Sequence, residues 1–232
     1  MPLITPFDPW KSPLCHCPPK YSFSPYTGCS HRCAYCYITS YIPRAFDCRP
    51  KDNLLERLCR EIRRLDRKIP IVIASSSDPY VPIEMSTNLT RDMLRLLTQS
   101  GFKVLLVTKS NLVTRDVDII KRARCSVSMT ITTLQTEIAK LLEPSAPSPE
   151  ERLGAIKMLI QAGIPCSIRI DPIIPGINDD LGQLERLIGE VARAGAKHVV
   201  ASSYKAKADN FKRIISAFPH LREGLERTYW AE

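Results

Sequence analysis

The chain has 232 residues, of which 44% are hydrophobic and 25% charged, a composition ordinary for a soluble protein with one sizeable core. Lysine and arginine number 33 against 24 acidic residues; the resulting charge of +9 favours a polyanionic partner such as nucleic acid, although solubility alone would also account for it. No run of about 18 apolar residues predicts a membrane span, and the first residues lack the basic and apolar regions of a secretory signal, so we expect a cytoplasmic protein without membrane association.

From about residue 50 onward, short apolar runs alternate with amphipathic segments in one repeated order, strand then helix. The predicted strands lie near 21–26 and within 69–75, 103–108, 125–131, 165–171 and 197–202. The predicted helices lie within 53–66, 88–101, 114–124, 135–142, 149–163, 180–195 and 208–218. Six such units in one direction predict a parallel sheet covered by helices, either an open doubly wound sheet or an incomplete barrel.

Two of these helices carry recognisable end signals. Asn88 and Thr90 are alternative N-caps of the helix within 88–101, which Gly101 would end. Pro149 suits the first turn of the helix within 149–163, and Gly163 suits the residue that follows its last turn.

All six predicted strands end in polar residues. Ligands of parallel α/β folds bind at the carboxyl ends of the strands, so these residues predict one shared polar pocket. Lys109 after "VLLVT" and Arg169 within "SIRID" are the strongest signals, because a packed core excludes unpartnered charges. The other polar strand ends are Ser75, Ser76, Ser77, Asp78, Ser126, Ser128, Thr130, Thr132, Asp171, Ser202, Ser203 and Tyr204.

Three of the nine cysteines, Cys29, Cys33 and Cys36, lie within the stretch "YTGCSHRCAYCY". A reducing compartment disfavours disulfides, and a structural zinc site needs four ligands. His31 is a fourth ligand on paper, but three ligands in one tight loop leave it little freedom to complete a tetrahedron. Three thiolates on a [4Fe–4S] cube would instead leave one iron open for another ligand. Gly28 would let the backbone approach such a cluster closely.

This CxxxCxxC pattern, with an aromatic residue before its last cysteine, resembles the signature of radical S-adenosylmethionine (SAM) enzymes. Four further segments occur in the same order: "SSSDPYVPIE", "SVSMTITTL", "LLEPSAPSPEERLGAI" and "IRIDPIIPGIND". Over roughly residues 20–205 the chain is similar to the spore photoproduct lyase-related branch, whose members are often labelled DNA repair photolyase-like. The resemblance implies an α/β fold, a partial (β/α)6 TIM-type barrel. We expect a single domain over 1–232, with an N-terminal extension (1–20), the barrel (21–205) and a C-terminal helical segment (206–232).

The resemblance also implies the cofactors. Cys29, Cys33 and Cys36 would hold a [4Fe–4S] cluster, and SAM would bind the open iron through its amino and carboxylate groups. One electron from an external reductant of the flavodoxin or ferredoxin type would split SAM into methionine and a 5′-deoxyadenosyl radical, which abstracts hydrogen from the substrate.

Five residues are candidate SAM contacts. Ser77, Lys109 and Ser128 match positions where the lyase contacts SAM, and a lysine at a strand end suits the methionyl carboxylate. For Ser128 a satisfied strand serine is an equal alternative. Asp78 and Arg169 are added from the polar strand ends.

Two tyrosines are the candidate catalytic residues. Tyr35 and Tyr37 match tyrosines that lie near the adenosyl radical in the lyase, although packing against the cluster is a competing explanation. Glu143 is interpreted as a turn cap, with a place in the pocket as the alternative, and His31 as a surface histidine. Ser75 occupies the position of the lyase's hydrogen-donating cysteine, and a serine O–H bond is too strong to return a hydrogen atom readily, which puts thymine-dimer repair in doubt.

These patterns predict radical chemistry on a nucleic acid, either lesion cleavage or base modification. The alternatives are radical modification of a protein side chain or small molecule, and a non-catalytic iron–sulfur or zinc module that binds nucleic acid. Cys15, Cys17 and Cys48 are interpreted as free thiols, with a second metal site as the weaker alternative.

Overall fold

The computed structural model describes residues 2–7, 18–73 and 76–230. Within these ranges the strands are β1 (Thr5–Pro6), β2 (Tyr21–Phe23), β3 (Tyr26–Thr27), β4 (Arg49–Pro50), β5 (Ile71–Ile73), β6 (Val104–Thr108), β7 (Cys125–Thr130), β8 (Cys166–Ile173) and β9 (Val199–Ser203). The α-helices are α1 (Leu54–Glu61), α2 (Glu84–Thr87), α3 (Leu89–Gln99), α4 (Val117–Ile120), α5 (Thr136–Leu142), α6 (Pro149–Gln161), α7 (Leu181–Arg193), α8 (Ala208–Ala217) and α9 (Arg222–Trp230). Short 3-10 segments occur at Tyr37–Ser40, Ile62–Arg64, Asn111–Asp116 and Pro219–Leu221.

Seven strands form one sheet in the order β1-β2-β5-β6-β7-β8-β9. Six of them, β2 and β5 to β9, are parallel, and β1 adds an antiparallel edge. β1 and β9 are the two edges of this sheet among the described strands, so the barrel is partial and not closed. The predicted α/β class with six parallel units is thereby confirmed. β3 and β4 pair separately, at the entrance to the cysteine loop.

The two faces of the sheet differ in character because successive strand residues point to opposite sides. One face is apolar and is covered from β5 to β8, chiefly by α1, α3 and α6, but it is exposed at Val199 and Ala201 of β9. Its buried residues are Ile71, Ile73, Val104, Leu106, Val127, Met129, Ile168 and Ile170. The opposite face is largely polar and only partly covered near β8 and β9; it carries Ser22, Val72, Ser128, Ser167, Arg169, Asp171, Val200 and Ser202. This second face lines the interior of the partial barrel.

Most predicted helices form, with instructive differences at their ends. α6 begins at Pro149, behind a capping box made by Ser148, and Gly163 follows the helix with a φ of +79°. Asn88 occupies the N-cap position of α3 without a side-chain hydrogen bond there. The carboxylate of Glu84 accepts the Thr90 N–H instead, at 2.9 Å, so a neighbouring acid caps this helix.

The single helix predicted over 114–124 is wrong. A 3-10 segment ends at Asp116 and only one α-helical turn, α4, follows it. The side chains of Arg115 and Asp116 both turn inward, toward Glu84 and Arg91 respectively. Their ion pairs with other segments hold residues 115 and 116 in the tighter 3-10 turn.

The C-terminal helices form a second apolar cluster around the cysteine loop. Phe211, Ile214 and Ile215 of α8, together with Leu225 of α9, share this cluster with Tyr35. At the other end of the chain, the N–H groups of residues 3 and 4 both bond the carboxylate of Glu61. Among the described residues, no helix has both the length and the apolar character needed to cross a bilayer.

Candidate functional site

The cysteine loop follows β3 and begins at a glycine that no other residue could replace without strain. Gly28 has a φ of +77°, and a Cβ atom there would lie 2.5 Å from the carbonyl oxygen of Asp47 and 2.9 Å from that of Ala45. The next residue, Cys29, donates its N–H to the Ala45 carbonyl at 2.7 Å. The loop is therefore held tightly against the 45–47 segment.

Helix α8 fixes the other side of the loop. Arg213 donates from Nε to the Ala34 carbonyl at 3.1 Å and from Nη2 to the Cys36 carbonyl at 2.8 Å. Asn210 donates to the Tyr35 carbonyl at 3.0 Å. Sequence analysis missed both α8 residues, because the bonds they make span some 175 residues and no local pattern marks them.

The thiol of Cys33 is buried and those of Cys29 and Cys36 are half-buried, and this sets their protonation. Burial raises the pKa of Cys29 to about 12 and is also the main cause of the raised pKa values of Cys33 and Cys36. Lys109 opposes the shift at Cys33 and Cys36. Deprotonating these three thiols needs a strongly positive partner, which the irons of a cluster supply.

Within the described ranges, no three His, Cys, Asp or Glu side chains converge as ligands of one metal ion. A zinc site would need that convergence, whereas a cubane presents separate irons to separate thiolates. Three thiols in one loop suit the separate irons of a cluster, and those of Cys29, Cys33 and Cys36 are the groups that would hold it.

Lys109 stands over the loop at the carboxyl end of β6. Its Nζ lies 5.5 Å from the centroid of the Tyr35 ring, within the range of a cation–π contact. Burial alone would lower the pKa of Lys109, but Cys33, Glu143 and Asp78 raise it above its ordinary value. Among the described residues its Nζ has no hydrogen bond or ion pair, so this ammonium is available to an anionic ligand.

Beneath Lys109, the phenol of Tyr35 donates a hydrogen bond to the carboxylate of Glu143. Glu143 in turn pairs with Arg152 at 2.5 Å, and both side chains are 1% exposed or less. The interpretation of Glu143 as a turn cap is therefore wrong, since its carboxylate is the centre of a buried ion pair. Arg152 was missed because "EERLGAI" is an ordinary amphipathic helix sequence.

Asp78 supports the site with both carboxylate oxygens. Oδ1 accepts from Thr108 Oγ1 at 2.7 Å and from the Tyr80 N–H at 2.9 Å, and Oδ2 accepts the Lys109 N–H at 2.7 Å. His31 Nε2 lies 3.4 Å from Oδ2. Burial opposes ionisation of Asp78, but these partners hold its pKa at about 2. A direct contact between Asp78 and a cofactor stays a prediction.

His31 is 1% exposed, so its interpretation as a surface histidine is wrong. Its Nδ1 lies 3.2 Å from the Ser145 carbonyl oxygen while its Nε2 faces Asp78. The imidazole thus joins the cysteine loop to the strand ends that surround it.

The remaining predicted cofactor contacts lie on or beside the interior face. Ser77 is buried, with its Oγ 3.4 Å from the Asp78 carbonyl oxygen. Ser128 is also buried and accepts a hydrogen bond from Ser167 at 3.0 Å. Arg169 pairs with Asp171 at 2.7 Å and keeps 27% of its side chain exposed. Their contacts with SAM stay predictions.

Tyr37 is the more exposed of the two predicted catalytic tyrosines, at 41%. Burial is the main cause of its raised pKa, followed by the nearby charges of Cys36 and Asp171. It therefore stands between the cysteine loop and the Arg169–Asp171 pair, whereas the hydroxyl of Tyr35 is already bonded. A catalytic role for either tyrosine stays a prediction.

The segment that follows Asp78 is a scaffold for the site. Tyr80 donates to Asp116 at 3.1 Å, and Glu84 pairs with Arg115 at 2.6 Å while accepting from the phenol of Tyr26. These side chains fix the turn between β5 and α3, and with it the position of Asp78.

Five further cysteines and Ser75 lie outside this cluster of side chains or outside the described residues. Cys125 is buried in the main core, and Cys166 packs against that core. Cys48 is half-buried, and burial raises its pKa to about 11 despite hydrogen bonds from Ser77 and the Ser30 backbone. Ser75, Cys15 and Cys17 lie outside the described residues.

Comparison with known proteins places this site in a family. The model of the radical SAM superfamily matches residues 23–202. An uncharacterized protein of Methanocaldococcus jannaschii, MJ0683, is 34% identical over 80% of this chain and 69% of its own length. Rv2578c of Mycobacterium tuberculosis, also uncharacterized, is 30% identical over 78% of this chain. This match covers 58% of Rv2578c, so the chain spans little more than half of that relative.

More distant matches have named activities. A radical SAM Nalpha-GlyT isomerase of Pseudomonas phage M6 is 27% identical over 88% of this chain and 43% of its own length. A mutant spore photoproduct lyase with bound AdoMet and dinucleoside spore photoproduct has the same fold, with a TM-score of 0.69 at 20% identity over 86% of this chain and 61% of that one. The chain belongs to the radical SAM superfamily, whose members use a [4Fe–4S] cluster and S-adenosylmethionine.

Proposed function

We propose that this protein is an enzyme that binds a [4Fe–4S] cluster through Cys29, Cys33 and Cys36 and uses SAM to modify or cleave a nucleic-acid base. When bound, the cluster and SAM supply a 5′-deoxyadenosyl radical that removes a hydrogen atom from the substrate. The observation that carries the proposal is the Lys109 ammonium, which stands unpaired within the described residues beside the three thiols of the cysteine loop at the mouth of a partial barrel.

Each residue around this mouth has a definite task in the proposal. Lys109 binds the carboxylate of SAM by a charge-assisted hydrogen bond. Asp78 holds the backbone of Lys109 in place, and Tyr35 packs under its ammonium. Arg169, partly exposed on the interior face, binds an anionic or polar group of the substrate or of SAM. Tyr37 limits the access of water to the reacting centre from the exposed side.

Three observations favour a nucleic-acid substrate. The net charge of +9 suits a polyanion. The phage relative is named for the isomerisation of a Nalpha-GlyT substrate, and the lyase neighbour was solved with a dinucleoside lesion. The lyase neighbour has the fold that this chain shares. Ser75 stands where the lyase has its hydrogen-donating cysteine, so base modification is favoured over thymine-dimer repair.

Isotope transfer tests this proposal. The protein would be reconstituted with iron and sulfide under anaerobic conditions, reduced in the presence of SAM, and incubated with oligonucleotides deuterated in their bases. We expect deuterium in 5′-deoxyadenosine, detected by mass spectrometry, and no 5′-deoxyadenosine from the Cys33→Ala variant.

The assay separates the two levels of the proposal. SAM cleavage without deuterium transfer from any single-stranded, duplex or lesion-bearing oligonucleotide would refute the nucleic-acid substrate. Deuterium transfer from a labelled protein or small molecule under the same conditions would identify that molecule as the substrate class in place of nucleic acid. Absence of any SAM cleavage by protein that carries its full complement of iron would refute the enzymatic activity itself.

A further inference from the structure

Arginines surround one aromatic ring on the surface beside the cysteine loop. The guanidinium groups of Arg32 and Arg213 both lie over the Phe46 ring, at 5.5 and 5.3 Å from its centroid. Arg44 and Arg49 belong to the same short segment as Phe46, and their side chains are 73% and 30% exposed. These five residues are called here the Phe46 face.

The Phe46 face is connected directly to each of the three cysteines. Arg32 is the residue before the second cysteine of the triplet. Ala45, next to Phe46, accepts the Cys29 N–H at 2.7 Å, and Arg213 donates to the Cys36 carbonyl at 2.8 Å. Short covalent and hydrogen-bonded paths therefore join this face to all three cysteines.

The Phe46 face carries excess positive charge. Arg44 and Arg49 share one carboxylate, that of Asp47, at 3.5 and 3.2 Å. A second carboxylate, that of Asp209, pairs at 3.3 Å with Arg213. Arg32 is exposed and makes no ion pair with any residue in the described ranges. Four guanidinium groups thus face two carboxylates.

We propose that the Phe46 face is the docking surface for an acidic one-electron carrier protein of the flavodoxin or ferredoxin type. The proposal rests on the proposed function, since a carrier is needed only if the cluster is reduced. One electron leaves the reduced carrier and enters the cluster held by the cysteines, and no covalent bond or proton changes place. Redox partners form small, weak interfaces that are steered by opposite charge, and electron transfer slows steeply with distance. An arginine-rich surface over the thiols meets both needs.

Nucleic acid is the other polyanion that this surface could attract. The substrate, however, must reach the barrel interior, which Arg169 and Asp171 line from β8. The Phe46 face belongs to the 43–49 segment, to the cysteine loop and to α8. The bonds that join this face to the three cysteine positions would not help to hold a nucleic-acid strand, whereas they shorten the path of an electron to the thiols.

Charge reversal at two exposed arginines tests the proposal. The double variant Arg32→Glu with Arg44→Glu would be compared with the control Arg193→Glu. Arg193 lies on α7, its side chain is 67% exposed, and it pairs with Glu190. Stopped-flow absorbance would follow reduction of the loaded cluster by a reduced flavodoxin at several salt concentrations. An uncharged small photoreductant, such as photoreduced deazaflavin, would be run in parallel, and titration would measure flavodoxin binding without turnover.

The double variant should lower the second-order rate of reduction by flavodoxin about tenfold at low salt and weaken flavodoxin binding, because it removes electrostatic steering. High salt should narrow the difference. Reduction by the small photoreductant, iron content and far-ultraviolet circular dichroism should match those of the wild type and of Arg193→Glu.

The proposal is overturned if the double variant binds flavodoxin and is reduced by it as the wild type is. It is also overturned if the Arg193→Glu control loses as much of the rate of reduction by flavodoxin as the double variant does. Loss of oligonucleotide binding by the double variant, with its reduction by flavodoxin unchanged, would overturn it as well. A failure of the proposed function looks different, since the cluster would then fail to form, or photoreduction would yield no cleavage of SAM in any variant.

Discussion

Replacing Arg152 by methionine should destabilise the protein severely, because it leaves a buried carboxylate without its partner. Arg152 and Glu143 approach to 2.5 Å with side chains 1% exposed or less. Arg152 also donates to the carbonyl oxygens of Pro147 and Thr130, at 2.8 and 3.2 Å. Methionine approximates the shape of the aliphatic stem but replaces none of these polar contacts.

The magnitude follows from these contacts. Removing one partner of a buried ion pair costs about 3–5 kcal/mol, and each buried carbonyl left without a donor costs about 1–3 kcal/mol more. Because Lys109 and Tyr35 still neutralise part of the Glu143 charge, we expect a total loss of about 5 kcal/mol in the free energy of unfolding. At roughly 2–4 °C per kcal/mol for a chain of this size, the melting temperature should fall by about 10–20 °C.

The assay is thermal unfolding by circular dichroism under anaerobic conditions, with Arg193→Met as the matched control. Arg193 pairs with Glu190 at 2.7 Å but is 67% exposed, so its loss should cost less than about 1 kcal/mol. Adding Glu143→Gln to the Arg152→Met variant should restore part of the loss, since no uncompensated charge remains. If Arg152→Met melts within 2 °C of the control, the reasoning about the buried pair is wrong.

Three further outcomes are expected. Gly28→Ala should lower both the melting temperature and the iron content, because its Cβ would meet the Asp47 carbonyl. The control Gly101→Ala has the same φ but open space around it, so it should cost only about 1–2 kcal/mol and leave the iron content unchanged. Equal iron content in the two variants would contradict this prediction. Arg213→Met should speed the loss of iron to a chelator, because two loop carbonyls lose their donors, while Arg222→Met, whose partner Glu226 lies on the surface, should release iron at the wild-type rate. Burial raises the pKa of Asp171, but hydrogen bonds from Ser202 and Arg169 hold this pKa below its ordinary value. The stability that Asp171 contributes is therefore complete above the carboxyl pKa of the unfolded chain, about 4, and is lost as pH falls through the lower pKa of the folded chain. Urea unfolding at pH 5 and pH 3 should therefore show a larger loss for the wild type than for Asp171→Asn, and equal losses would refute the depressed pKa.

The sequence predicted the sheet well because hydrophobic periodicity and strand ends are local properties. Six parallel strands lie where the apolar runs placed them, and Lys109 and Arg169 lie at the carboxyl end of the sheet as expected. The cysteine loop was visible for the same reason, since its three thiols lie within eight positions.

The parts that sequence analysis missed depend on contacts between distant segments. His31 and Glu143 looked like surface or turn residues, yet each is buried because Asp78 and Arg152 approach it from other parts of the chain. Arg213 of α8 bonds the cysteine loop only because the fold packs this helix against a segment that lies far away in the sequence. The short α4 shows the reverse effect, in which a buried ionic network overrides a regular helical pattern.

The most direct test is the coordination of the iron in protein purified and reconstituted without oxygen. Iron and sulfide analysis would be combined with electron paramagnetic resonance of the reduced protein, with and without SAM, for single alanine variants of Cys29, Cys33, Cys36 and Cys48. The account predicts about four irons and four sulfides per chain. Each variant of the triplet should lose the cluster, Cys48→Ala should keep it, and SAM should alter the spectrum of the reduced protein. A cluster that also needs Cys48, or a spectrum that SAM leaves unchanged, would contradict the claim that one iron is left open for SAM.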